Sequence, residues 1–293
     1  MKSLRTQAKG VAHRLLLNPN VRKLTQKLLL NPNVRKLTLT QKLPFLRDHL
    51  GGLHRSHPFD QIYGVDTSGF FPTGLLQTKD VTSELINAYI GSQPSITRGS
   101  LSTLPDIKVY TYVDLGCGKG RVVIIGSEFP FQDIVGIELS PELARIAQSN
   151  VAKIHRQFPG RPPIRIIAGN ALDNLLTNGK IVFYLYNPFG RELMSQLVHK
   201  IESALLSTLE HVFIVYHNPV WGSLLDASPA LRRWYAGSIA FGAADLDLWG
   251  EEHDSVVIWQ SVRGARMGAR PEANREIVIV NPERADLAPL SDP

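Results

Sequence analysis

The sequence predicts an α/β fold built on a doubly wound, mostly parallel sheet, and three observations carry that prediction. From residue 109 onward, short runs of β-branched and aromatic residues alternate with longer segments of helical spacing. Glycine, asparagine and proline cluster just after each apolar run, where the carboxyl ends of parallel strands gather and ligands bind. The stretch Val113-Asp114-Leu115-Gly116-Cys117-Gly118-Lys119-Gly120-Arg121 sits between the first such run and the first such helix.

The runs follow in order. Val109 to Val113 reads as the first strand, and Arg121 to Ile125 as the start of the helix after it. Ile134 to Leu139 is the second strand. Ser140-Pro141 then pairs an N-cap with a proline at the first helical position, opening a helix expected to run to about Phe158. Ile164 to Ala168 is the third strand, ending at Gly169-Asn170-Ala171, and Ile181 to Tyr186 the fourth, ending at Asn187-Pro188-Phe189-Gly190. A helix is expected from Arg191 to Leu206, then a fifth strand from His211 to Tyr216 that ends at His217-Asn218-Pro219. Val256 to Val262 is a late strand, expected to pair antiparallel with one near Gly237 to Phe241, which completes seven strands. Upstream, Phe59 to Pro72 is aromatic and punctuated by glycine, so it reads as a loop or short strand pair, and Asp80 to Ile90 has helical spacing.

The glycine turn carries the chemistry. A chain reversing there needs positive φ or close backbone approach, and glycine permits both. The helix start beyond it offers free N–H groups to an anionic group. A nicotinamide or flavin fingerprint, G-x-G-x-x-G, would put its third glycine at 121, where this chain has Arg121. Gly116, Gly118 and Gly120 instead read G-x-G-x-G, led by Asp114. Glu138 ends the second strand 24 residues after Asp114. Its two carboxylate oxygens match the two adjacent hydroxyls of a ribose.

That constellation resembles motif I of the class I S-adenosylmethionine (SAM) methyltransferases, and with Tyr63-Gly64-Val65-Asp66-Thr67-Ser68-Gly69 and Tyr186 to Phe189 it is similar to an uncharacterised bacterial group of them over residues 58–262. The resemblance implies a Rossmann-like sheet, SAM as cofactor and methyl transfer as the activity. It places the methionine part of the cofactor over Gly116, Cys117, Gly118 and Gly120, its amino end near Asp114 and its adenine near Asn170 and Ala171. Thr67 and Ser68 lie in a loop, Gly64 to Gly69, that could close over the ligand. Asn187-Pro188-Phe189 resembles the Asn/Asp-Pro-Pro-aromatic motif of enzymes that methylate planar amino groups. There the amide and a backbone carbonyl hold the acceptor's N–H groups and the ring stacks on it. One proline here replaces two, a departure from the planar-amine pattern that leaves a lysine or another acceptor open; the acceptor is unidentified, with a nitrogen among the candidates. The bland readings are that Asn187 caps the next helix, that Glu138 is a surface acid and that His217, weighed as a base, is a hydrogen-bonded loop residue.

Composition bounds the rest. The chain has 293 residues, 43% of them hydrophobic, and no run approaches the ~18 apolar residues of a membrane span. Cys117 is the one cysteine, so an intrachain disulfide is excluded and a reducing, cytoplasmic setting is expected. No Cys/His cluster has metal-ligand spacing. The net charge of +6 is uneven: residues 1–55 hold 12 Lys/Arg against Asp48 alone, whereas residues 56–262 hold 15 against 20 acids. The basic segment contains a tandem repeat of period 13, Leu15 to Lys27 and then Leu28 to Thr38, with Asn-Pro at 18–19 and 31–32. It is either a solvated arm, a targeting peptide, or an arm making weak contact with nucleic acid or a membrane surface. The expected organisation is this extension at 1–55, a lid or cap segment at 56–105, a SAM-binding domain at 106–262 and a Pro- and Arg-rich, disordered tail at 263–293. A SAM-dependent methyltransferase acting on an unidentified protein or small molecule is the first reading. A non-catalytic protein of the same fold, with a basic arm for anionic surfaces, is the alternative.

Overall fold

Seven strands form one sheet in a computed structural model that describes residues 56–71, 86–245 and 252–262. The basic repeat and the tail lie outside the described residues. In chain order the elements are α1 (Pro58–Tyr63), β1 (Phe70–Phe71), β2 (Tyr89–Ile90), α2 (Pro94–Ser102), β3 (Thr111–Leu115), α3 (Arg121–Gly126), β4 (Asp133–Glu138), α4 (Pro141–Gln157) and β5 (Ile164–Ala168). They continue with β6 (Gly179–Tyr186), α5 (Arg191–Leu205), β7 (Leu209–His217), α6 (Gly222–Asp226), β8 (Leu231–Ala240) and β9 (His253–Ser261).

The sheet order is β5-β4-β3-β6-β7-β9-β8. The first five strands pair in parallel, and β9 runs antiparallel between β7 and β8. The expected antiparallel C-terminal pair is therefore present, and its later member is the inner one. Strand order reverses at β3, between β4 and β6, the switch point of a doubly wound sheet. Helices cover both faces. Val113, Leu115, Phe183 and Ile214 pack under α5 and α6, while Tyr112, Tyr184 and Val215 pack under α2, α3 and α4. Strands buried on both faces must be apolar along their length, which is why β3, β6 and β7 read as continuous runs rather than alternating ones. Each such Val, Leu or Ile contributes on the order of 1.5–3 kcal/mol from burial.

The boundaries track local signals. Ser140 accepts a hydrogen bond from the Leu143 N–H at 3.4 Å and Pro141 follows it, so α4 starts where its cap predicts. The first strand lies two residues later than its apolar run suggests, and Val109 is 54% exposed.

Two upstream expectations need correcting. Residues 58–63 form a helix, not a loop or strand pair. His57 Nδ1 accepts from the Phe59 N–H at 3.0 Å, Pro58 is the first helical residue, and Gly64 closes the helix at φ 64°. Histidine is an unusual cap, so the signal is easily passed over. Residues 89–90 form β2, paired with β1 at Phe70↔Ile90 and Phe71↔Tyr89, where helical spacing predicts a helix; residues 80–85 of that stretch lie outside the described residues. Here tertiary contact overrides propensity. Downstream of β2, α2 begins at Pro94, because proline suits a helix start.

Candidate functional site

The carboxyl ends of β3, β4 and β6 meet at the switch point. Parallel pairing sets Leu115 beside Ile137, so the turn after β3 crosses the end of β4. The N–H groups of Gly116 and Cys117 both reach the Ile137 carbonyl, at 2.9 and 3.0 Å. Gly116, Gly118 and Gly120 have φ of 82°, 54° and 88°, which residues with a side chain rarely adopt. At Gly118 the constraint is doubled. A Cβ there would lie 2.0 Å from the ring of Tyr89, which lies against the loop and donates its hydroxyl to the Thr67 carbonyl at 2.7 Å.

Two carboxyl groups stand at this turn. Asp114, on β3, is 3% exposed, and its Oδ2 has no hydrogen-bond partner. Burial, with the Glu138 charge nearby, pushes its carboxyl well above the usual carboxylate range. Glu138 ends β4. Its Oε2 accepts from the Gly118 N–H at 2.7 Å and its Oε1 from the Ser140 N–H at 2.8 Å, so it holds the glycine loop and the start of α4 together. Burial raises its carboxyl too, and those two N–H groups oppose the rise. The Cys117 thiol is buried and pushed up by that burial, which makes it an inert packing group.

The turn at Asn187-Pro188-Phe189 lies against the glycine loop: a Cβ at Gly116 would lie 3.1 Å from Pro188 Cβ. Asn187 is left-handed at φ 42°, a conformation asparagine tolerates. Its carbonyl accepts from Asn87 Nδ2 at 2.7 Å, and the Pro188 carbonyl accepts from the Asn87 N–H at 3.1 Å. Phe189, 7% exposed, sits in the core cluster with Leu185 and Met194, and its backbone bridges Ile86. Its ring is committed to packing, not displayed to a ligand.

The remaining candidates divide. Asn170 builds a turn at the end of β5: its Oδ1 accepts from the Leu172 N–H at 2.9 Å, and Ala171 is buried beside it. Thr67 and Ser68 lie next to the glycine loop, but their polar atoms are engaged by protein. The Thr67 hydroxyl donates to Asp60 Oδ1 at 2.5 Å and accepts from Arg121 Nε at 2.8 Å. The Ser68 hydroxyl accepts from the His57 N–H at 2.8 Å and from Arg121 Nη2 at 3.2 Å. His217 is buried, with Nε2 2.6 Å from Asp254 and Nδ1 3.4 Å from the Tyr184 hydroxyl, so both ring nitrogens are occupied within the protein.

Sequence reasoning passes over the groups that bind residues 57–71 to the glycine loop. Arg121 is buried yet meets its carboxylate, Asp60, only through Thr67; it also donates to the Ser92 and Thr67 carbonyls. Lys119 Nζ pairs with Asp66 at 2.7 Å and lies 5.2 Å from the Phe71 ring. Asn150, on the inner face of α4, accepts from the Asp66 N–H and donates to the carbonyls of Asp66 and Lys119, at 3.0, 2.7 and 2.9 Å. A polar residue among the apolar positions of α4 is the signal that could have found it.

No family model matches the sequence, and no curated protein matches it. Solved structures of methyltransferases are similar to the chain. Precorrin-6y C5,15-methyltransferase from Geobacter metallireducens is 16% identical over 57% of this chain and 87% of that one, with a TM-score of 0.40. An O-methyltransferase from Bacillus cereus, solved with SAH, is 15% identical over 58% and 82%, with a TM-score of 0.40. TrmN from Thermus thermophilus is 15% identical over 58% and 49%, with a TM-score of 0.42.

Proposed function

We propose that this chain is a SAM-dependent methyltransferase, with the cofactor over the glycine loop and the acceptor at the Asn187 turn. The observation that carries the reading is the buried, unpartnered oxygen of Asp114 beside Glu138, at a loop of left-handed glycines in contact with Pro188. The residues fit the cofactor. An orphaned buried carboxylate oxygen costs free energy alone and is satisfied by the ammonium of the methionine part. Glu138 keeps a lone pair on each oxygen for ribose hydroxyls. Asn170 and Ala171 edge the adenine.

The cofactor, when bound, supplies an electrophilic methyl group on a sulfonium. The chain's own residues hold it, align it and keep water out; none has to act as a nucleophile. Thr67 and Ser68 serve the site through Arg121, which fixes the far end of the glycine loop. The Asn187–Phe189 turn positions the acceptor. A nitrogen acceptor is what the motif's likeness suggests. The lone buried thiol suits a reducing compartment such as the cytoplasm. Among the described residues no helix is long and apolar enough to cross a membrane. Contact between the basic extension and an anionic surface is a separate proposal: deleting residues 1–55 is expected to abolish salt-sensitive binding to DNA or anionic vesicles.

Calorimetric titration with SAM and its demethylated product tests the main reading. Saturable binding is expected, weakened about tenfold or more in Glu138→Ala, since two hydroxyl partners are lost. A folded wild-type chain that binds neither compound would sink it.

A further inference from the structure

One short segment touches both halves of the candidate site. Ile86 to Ile90 meets the Asn187 turn first and the glycine loop next. At the turn, Ile86 bridges Phe189 antiparallel, and Asn87 engages two successive carbonyls. Its side-chain amide donates to Asn187 at 2.7 Å and its backbone N–H to Pro188 at 3.1 Å. Two residues on, Tyr89 pairs with Phe71, sets its ring where a Cβ on Gly118 would be and donates its hydroxyl to the Thr67 carbonyl. Beyond Ile90 the chain is pinned again. A Cβ on Gly91 would lie 2.7 Å from Arg121 Cζ, and the Ser92 carbonyl accepts from Arg121 Nη1 at 3.1 Å.

Each anchor has a local reason. Asn187 holds a left-handed φ of 42°, and such backbone in a residue with a side chain persists where the surrounding contacts over-determine it. Asn87 supplies two of those contacts, and the Tyr216 hydroxyl, 3.2 Å from Asn187 Oδ1, supplies a third. The side-chain half needs an amide at 87, since a carboxylate there would face the Asn187 carbonyl oxygen with no proton to give. The Tyr89 ring reaches the loop because Gly118 has no Cβ in its way. Along the chain the two anchors are at most about 7 Å apart, too short a link for one to move far without the other.

We infer that Asn87 is a positioning residue which, linked through Tyr89 to Gly118, ties the placement of the Asn187 turn to the occupancy of the glycine loop. This rests on the methyltransferase reading above and names the residue that keeps its donor and acceptor sides at a fixed spacing. Methyl transfer needs the acceptor atom about 3–3.5 Å from the methyl carbon, and a misplacement of ~1 Å costs about 10²-fold in rate. Pro188 against Gly116 fixes the spacing of turn and loop by direct contact. Asn87 and Tyr89 fix it by a second, separate route. A methionine part lying over Gly118 packs beside the Tyr89 ring and restrains the segment. That restraint reaches the turn through the two hydrogen bonds of Asn87.

Hydrogen exchange on the full chain, with and without saturating S-adenosylhomocysteine, tests this. The readout is the ratio of the two exchange rates at the Asn187, Phe189 and Gly190 amides. In the parent chain the ligand is expected to slow these amides about tenfold. In Asn87→Asp, which keeps the shape and loses the donor, the ratio is expected to fall to within about twofold of one. Asn87→Ala, which brings no charge to the turn, and Tyr89→Ala, which removes the ring from Gly118, are expected to behave alike. A purely structural role for Asn87 would speed exchange equally in both conditions and leave the ratio intact. Circular dichroism establishes that each variant is folded. No slowing in a parent chain that binds S-adenosylhomocysteine, or a parental ratio in any of the three variants, would overturn the inference. Failure of the chain to bind S-adenosylhomocysteine would instead remove the methyltransferase reading beneath it.

Discussion

Asp114 holds a carboxyl group where a free chain has little use for one: buried, one oxygen unpaired, and close to Glu138. Both groups bind protons more readily in the folded state than in the unfolded one. Between the ordinary carboxylate pKa near 4 and their raised values, the native state therefore holds the extra protons, and stability falls as pH climbs through that window. Asp114→Asn removes this contribution. The variant is expected to melt higher than the parent at neutral pH and to lose the difference toward pH 4, as thermal melts across that range would reveal. It is also expected to bind SAM at least tenfold more weakly, since an amide oxygen is a poorer partner for an ammonium than a carboxylate. A variant that is less stable at neutral pH and binds SAM normally would mean that Asp114 is a structural residue.

The element that decides the site's shape is the turn from β3 into α3, and it is clamped from above. Gly118→Ala would force a side chain into left-handed backbone, costing about 1–2 kcal/mol, and would drive Tyr89 off the loop. The expected result is lower stability together with weakened SAM binding; unchanged binding would exclude a cofactor contact at this glycine. Asn150 makes the clamp from the side, joining residue 66 to residue 119 by three hydrogen bonds. Asn150→Ala should cost about 2–3 kcal/mol, read as a lower urea midpoint with an unchanged denaturant slope. If the clamp also shapes the cofactor site, SAM affinity falls with it.

At the scale of the molecule, a ligand bound at a switch point joins both halves of a sheet and should stabilise the whole. At one hundred times its dissociation constant SAM is expected to add about 2.7 kcal/mol, a rise in melting temperature of roughly 5–10 °C for a body of this size. A calorimetric scan with and without SAM checks this. A shift confined to an early, partial transition would mean that the loop and its clamp melt apart from the sheet.

Most of the fold is legible in the sequence because its elements have local causes. Parallel strands buried on both faces must be apolar along their length, and Ser140-Pro141 starts a helix in any context. Gly116, Gly118 and Gly120 mark a turn because left-handed backbone excludes most side chains, and so they, with Asp114 and Glu138, mark the candidate site in the sequence. The small upstream helix, capped by His57, and the strand at Tyr89 were not legible: the first uses an unusual cap, and the second exists only because Phe70 and Phe71 pair with it and Gly118 lies beneath. Tertiary structure alone brought Arg121 to Thr67, Asn150 to Asp66 and Tyr216 to Asn187, pairs separated by 54, 84 and 29 residues. Local spacing carries no record of such contacts. Local pattern thus specifies the sheet, the switch point and the loop placed there, whereas packing decides which polar atoms of that loop and of the Asn187 turn bond to protein.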